Sequence, residues 1–146
     1  MIEKDAAAFV ARADDRDAKG GPITLPDGTQ ISRLPSFVRW LWDGAFCGQI
    51  GFRWRPGTEA LPPYVLGHIG YAVVPWKRQR GYATRALALL LPEARKEGLA
   101  WVELTTDPDN FPSQKVITAN GGVFIERFKA EQAYGDRDEF RWRIFL

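Results

Sequence analysis

The sequence is poor in the residues that usually announce a site: it has one cysteine, one histidine and one methionine. A lone Cys47 has no partner for an internal disulfide and cannot build a cysteine metal cluster, which fits a reducing compartment. No apolar run approaches the length that spans a bilayer. The opening MIEKDAAAFVARADD is charged from Glu3 onward and lacks the apolar core and cleavage site of a signal peptide, so a cytoplasmic protein without a membrane partner is expected. Charge of one sign is scarce as well. A net charge of +2 is too small an excess for nucleic acid, whose phosphates demand a concentrated basic face. Internal repeats and low-complexity tracts are lacking too.

What is present suits one globular domain over residues 1–146, with 45% hydrophobic and 26% charged residues. The aromatic residues lie in strand-like runs and read as core. The stretch from Gly67 to Glu97 organises the rest. Ile69 to Val74 is an apolar, β-branched run that reads as a buried strand. It breaks at Pro75 and turns basic at Lys77, Arg78 and Arg80. From Gly81 onward Ala83, Ala86, Leu87, Leu90 and Ala94 recur at helical spacing. A strand, a cationic loop and a helix in succession suit an anion. The first turn of a helix has unpaired N–H groups and a positive dipole end, and Gly81 keeps a side chain out of the way.

Around this centre, Lys4 to Ala13 reads as a short amphipathic helix and Asp14 to Gly28 as a surface loop. Period-two alternation from Pro35 to Trp54, interrupted by Asp43-Gly44, predicts a hairpin with Phe46, Gly48, Ile50, Phe52 and Trp54 on one side. Pro56 to Pro63 is a loop. Pro92 falls inside the helical pattern and predicts a bend, and Gly98 sits where a helix C-cap belongs. Trp101 to Thr105 reads as a strand, parallel to the one before the helix if the crossover is right-handed. Ser113 to Asn120 is a short helix closed by Gly121-Gly122. Val123 to Lys129 and Glu139 to Leu146 make an antiparallel hairpin. The predicted class is mixed α+β or α/β, a mostly antiparallel mixed sheet flanked by helices.

Two motifs now stand in order: Arg78-Gln79-Arg80-Gly81-Tyr82-Ala83, which fits Arg/Gln-x-x-Gly-x-Gly/Ala, and TTDPDNFPSQKVITANGG with its Asn-x-x-Ser segment. Together they resemble the acetyl-CoA pyrophosphate loop and the following segment of the GNAT superfamily of acetyltransferases, closest to a bacterial subgroup. The resemblance covers roughly residues 36 to 146 and implies a GNAT-like sheet whose first strand and helix are short or missing, with residues 1–33 atypical. It places the pyrophosphate on the N–H groups of Arg78, Gln79, Arg80, Gly81, Tyr82, Ala83 and Thr84. Pantetheine would run along Tyr71, Ala72, Val73 and Val74 like an added strand, with Asn110 and Ser113 touching its arm or thiol end.

The implied chemistry is attack of a neutral amine on the acetyl thioester, with acetyl-CoA as cosubstrate, no metal, and an amine-bearing small molecule or protein as acceptor. In many family members a tyrosine seven residues after the motif Asn protonates the departing thiolate; here that position is Ile117. His68 is then a candidate base, though a lone strand histidine is more often structural. Tyr71 is a candidate proton donor against a core-packing reading. Glu103 and Asp109 are candidates for orienting an amine or a water, and Cys47 has no evident activating partner as a nucleophile. Without its tyrosine the domain is either an N-acetyltransferase or a non-catalytic CoA-binding module. The short N-terminal part leaves sheet surface uncovered, which predicts a homodimer through the strands near Trp40 and Trp42 or the C-terminal hairpin.

Overall fold

The structure, a computed structural model, describes residues 13–130 and 134–146. The helix expected from Lys4 onward lies outside them. The loop expected after it contains short ladders: β1 (Asp14–Asp15) pairs with β4 (Ser36–Trp42), and β2 (Ile23–Thr24) pairs with β3 (Gln30–Ile31). The Asp15 carboxylate accepts from the N–H groups of Lys19 and Gly20 and closes the turn between β1 and β2.

The expected hairpin forms from β4 (Ser36–Trp42) and β5 (Phe46–Arg53). Phe37, Ile50, Phe52 and Trp54 enter the core, where Phe52 stacks on Trp54 at 4.9 Å and Phe37 meets Phe52 edge-on at 5.6 Å. Phe46 departs from the alternation. The register shifts between Leu41 and Trp42, so Phe46 turns outward and packs edge-on against Trp40 at 5.6 Å. Strand β6 (Ile69–Val73) then pairs antiparallel with β5.

After a 3-10 turn at Pro75–Lys77 comes helix α1 (Tyr82–Lys96), which buries Leu87, Leu90 and Ala94 and runs on through Pro92. Arg95 and Lys96 in its last turn complement the dipole, and Gly98 follows at φ +87°. Strand β7 (Trp101–Thr106), helix α2 (Phe111–Ala119), β8 (Val123–Lys129) and β9 (Asp138–Phe145) complete the chain. The last hairpin is as expected, with β9 central in the order β7-β9-β8. Helix α2 starts two residues earlier than the sequence suggests, because Asn110 accepts from the Ser113 N–H as N-cap and Pro112 is tolerated in the first turn.

The strands before and after α1 do not form the expected parallel ladder. A sheet ordered β1-β4-β5-β6 and the sheet β7-β9-β8 meet at a single joint. There the His68 N–H donates to the Glu103 carbonyl at 2.7 Å, and the Glu103 N–H donates to His68 Nδ1 at 2.9 Å. The His68 imidazole accepts the Glu103 N–H, and the His68 carbonyl turns to Arg53 N–H on β5; beyond this point β6 and β7 lie in separate sheets. One core nevertheless serves both sheets, running from Phe37 and Ile69 through Leu87 and Ile117 to Val102 and Ile144.

The joint depends on Gly67. It has φ +88°, and a Cβ there would stand 2.9 Å from the Glu103 carbonyl oxygen and 3.1 Å from Leu104 Cα. Both the conformation and the clash are with backbone that cannot turn aside. Gly67→Ala is expected to destabilise the fold by about 2–4 kcal/mol in urea unfolding; a change under 1 kcal/mol would show that the joint yields at little cost.

Candidate functional site

The loop between β6 and α1 is built to present backbone N–H groups. Gln79 and Gly81 both adopt left-handed φ, +62° and +76°, with Arg80 between them, and this curls the chain before the helix. The N–H groups of Gln79, Arg80, Gly81, Tyr82, Ala83 and Thr84 have no acceptor among the described residues; the first helical bond is from Arg85 N–H to the Gly81 carbonyl. Arg78 is not part of this arc, since its N–H reaches the Pro75 carbonyl at 3.4 Å. A Cβ on Gly81 would meet no atom within 4 Å, so the space over the arc is open. Six successive N–H groups without an acceptor among the described residues thus lie at the positive end of a fifteen-residue helix.

The side chains of the loop are partly committed. Arg78 Nε donates to the Val73 carbonyl at 3.0 Å, and Arg80 reaches the Trp76 carbonyl at 3.4 Å. Lys77 does not face the arc at all. Its ammonium donates to both Asp43 oxygens at 2.8 and 2.9 Å, and the Tyr82 hydroxyl donates to the same carboxylate. Lys77 and then Tyr82 hold the Asp43 carboxyl well below the usual carboxylate range. In the sequence Asp43 reads as a turn residue only. Its hydrogen-bonding role at a distance of 34 residues has no sequence signal.

Beyond the joint, β6 has a free edge. Val74 N–H donates to the Cys47 carbonyl and the His68 carbonyl accepts from Arg53 N–H, so by strand alternation Gly70 and Ala72 also spend their backbone groups on β5. Ile69, Tyr71 and Val73 therefore turn theirs to the opposite side. Across that gap lies the start of α2. The Tyr71 hydroxyl is 2.7 Å from the Ser113 hydroxyl and 3.3 Å from the Ser113 carbonyl oxygen, and Asn110 caps the same turn. Two residues singled out separately, Tyr71 and Ser113, are thus hydrogen-bonded partners 42 residues apart. Burial pushes the Tyr71 phenol above its ordinary value, with Ser113 pulling the other way, so it stays protonated and able to donate.

The other candidates are placed differently. His68 has no solvent exposure, and its Nδ1 is occupied by the Glu103 N–H. Burial pushes its pKa down to about 4, and the Arg53 charge adds to this. A ring so enclosed braces the joint and has no free access to a substrate proton, which corrects the expectation of a base at this position. Glu103 is 7% exposed and faces Arg143 and Arg141 at 3.6 and 3.8 Å. Asp109 is exposed. Ile117 is fully buried against Gly122, so the position belongs to the core. Cys47 is 1% exposed, and burial raises its thiol pKa, which leaves it inert at neutral pH. A cavity of about 620 Å³ lies between the β4–β5 hairpin and α1, with Trp40, Trp42, Tyr82, Arg85 and Leu89 in its wall.

Comparison with known proteins gives one consistent picture. Residues 2–123 match the family described as "Acetyltransferase (GNAT) domain". None of the curated protein sequences matches. Among solved structures, Mycobacterium smegmatis RimJ in complex with CoA-disulfide is 26% identical, with a TM-score of 0.60 over 76% of this chain and 53% of its own. A GNAT-family acetyltransferase from Bacillus anthracis is 25% identical, with a TM-score of 0.54 over 68% of this chain and 58% of its own. The microcin C7 self-immunity acetyltransferase MccE, in complex with acetyl-CoA and AMP, reaches a TM-score of 0.67 over 98% of this chain and 71% of its own. At 15% identity that last likeness speaks to the fold alone. The chain spans 53% and 58% of the length of the first two.

The buried histidine has a measurable signature. The folded protein holds the neutral ring with a pKa of about 4, whereas the unfolded chain takes up its proton near 6.5. Between those values the unfolded state binds more protons, so stability present above pH 6.5 is lost as the pH falls. Urea unfolding is expected to show a loss of about 2 kcal/mol between pH 7 and pH 5 that His68→Gln flattens. Parallel profiles for the two proteins would mean that the ring titrates normally.

Proposed function

The chain belongs to the GNAT acetyltransferase family, and from that premise we propose that it transfers the acetyl group of acetyl-CoA to an amine of a small molecule or a protein. The observation that carries this reading is the arc of six unclaimed N–H groups from Gln79 to Thr84 beside the open edge of β6. CoA is an anion at one end and an extended chain of amides at the other. The arc suits its pyrophosphate, with Arg78 and Arg80 as nearby charges. The backbone of Tyr71 and the N–H of Val73 suit the pantetheine amides as an added strand, with Ala72 and Val74 in line and Asn110 and Ser113 across the gap. The relative RimJ, in complex with CoA-disulfide, supports the same ligand class.

The transfer forms a C–N bond from the amine to the acetyl carbon and breaks the C–S bond, leaving a thiolate that needs a proton. We assign that donation to Tyr71. Its phenol remains protonated, and the Ser113 hydroxyl bonded to it orients it and relays a replacement proton from solvent. The ammonium proton of the acceptor leaves to water, because His68 is enclosed. Rate then follows the acceptor's own ionisation. A non-catalytic CoA-binding module is the second reading, favoured by Ile117 standing where many relatives carry the acid. Residence in the cytoplasm and assembly as a homodimer complete the proposal. The latter is supported by edge strand β8, where Val123, Phe124 and Ile125 are 45%, 50% and 39% exposed.

Four measurements test it. Gly81→Val is expected to abolish acetyl-CoA binding in calorimetry with an unchanged circular dichroism spectrum, and retained affinity would remove the loop from the site. Tyr71→Phe is expected to lower kcat about 10²-fold while acetyl-CoA affinity changes less than threefold. Thiol release from wild-type protein with a panel of amines separates the enzyme from the module, since binding without turnover would leave only the latter. Light scattering at micromolar concentration is expected to give twice the chain mass, and a monomer would discard the dimer.

A further inference from the structure

Asp43 stands in the β4–β5 turn, far in sequence from the loop, yet three of the loop's side chains converge on it. Lys77 is bound twice, Tyr82 donates its hydroxyl, and Arg80 lies 4.0 Å away. The carboxylate also accepts from Ala45 N–H in its own turn, so it is fixed from the hairpin side. Lys77 closes the 3-10 turn before the arc, and Tyr82 lies within the arc as the first residue of α1. The arc of N–H groups is therefore tied ahead of its start and again at the helix start to one point on a neighbouring hairpin. Neither pin is fully exposed: Lys77 and Asp43 side chains are 16% and 22% accessible, which limits screening by solvent.

The sign of the charge makes the arrangement informative. A carboxylate beside an anion site repels the anion, so by charge alone Asp43 weakens binding. We propose that Asp43 is a positioning residue for the CoA-phosphate loop: it sacrifices one positive charge, Lys77, to hold the backbone of Gln79 to Thr84 in the curl that aims six N–H groups at one anion. This assignment rests on the reading of that loop as the acetyl-CoA site. Binding energy at such a site comes from donors already in place, and a loop that must first be ordered loses the corresponding affinity. Lys77 and Tyr82 act through their side chains as ties, and the phosphate contacts are left to backbone N–H groups and to Arg78 and Arg80.

The test separates positioning from simple charge. In protein without ligand, Asp43→Ala is expected to speed amide hydrogen exchange across residues 79–84 by about tenfold, with helix α1 beyond Arg85 unchanged. The same variant is expected to raise the acetyl-CoA dissociation constant about tenfold and KM in parallel, while kcat at saturation stays within twofold. Asp43→Asn keeps an acceptor for Tyr82 and loses the pair with Lys77, so it should fall between wild type and Asp43→Ala; it also serves if the alanine variant folds poorly. Lys77→Met should match Asp43→Asn. Exchange and affinity unchanged, or affinity improved as charge alone dictates, would overturn the assignment. Wild-type protein that fails to bind acetyl-CoA would instead overturn the functional reading, and a changed exchange pattern would then still report the tie between hairpin and loop.

Discussion

The fold hangs on a joint of two hydrogen bonds between the residue before β6 and the middle of β7. Up to His68 and Glu103 the two sheets touch; past them they separate. Gly67 lets the backbones approach, the His68 ring accepts the Glu103 N–H, and the His68 carbonyl turns to β5. The separation is what leaves the edge of β6 open and brings α2 across from Tyr71. Helix α1 leaves that edge through a turn of backbone donors, so the anion arc and the free strand edge are consecutive parts of one continuous surface. A continued ladder between β6 and β7 would consume the same backbone groups and close the gap.

Much of this could be read in the residues. The spacing of Leu87, Leu90 and Ala94, the Asp43-Gly44 step and Gly98 after the last basic turn each act over a few residues, and local physics places them correctly. The motif around Gly81 marks the loop because a left-handed conformation and an open approach both need that residue. What was not legible is long-range. The Tyr71–Ser113 pair, the convergence on Asp43 and the brace at His68 join segments 42, 34 and 35 residues apart. Periodicity is blind to such pairings. Phe46 was misassigned for a related reason: a one-residue register shift reverses every side chain beyond it, and no pattern within a single strand announces where the shift falls.

On the proposed reading the proton donor stands elsewhere in the domain than the sequence motif suggests. Ile117 is fully buried in the core against Gly122, where a larger ring would have to displace packed neighbours. Tyr71 carries its hydroxyl on a strand rather than on α2, and Ser113 meets it from the helix. If the thiol end of the ligand lies beside this pair, as proposed, its polar group comes from the opposite wall. Meanwhile the sole histidine, the side chain that ordinarily titrates nearest neutrality, is spent on holding the two sheets together.

An open strand edge next to an anion cradle also couples metabolism to the survival of the protein itself. A molecule that supplies the missing strand binds the folded chain and has nothing comparable to hold in the unfolded one. At a hundred times its dissociation constant it would deepen the folded state by about 2.7 kcal/mol, a hundredfold drop in the unfolded population open to proteases. On the proposed reading, the supply of the donor would then set how much of the chain is folded and out of reach of proteases.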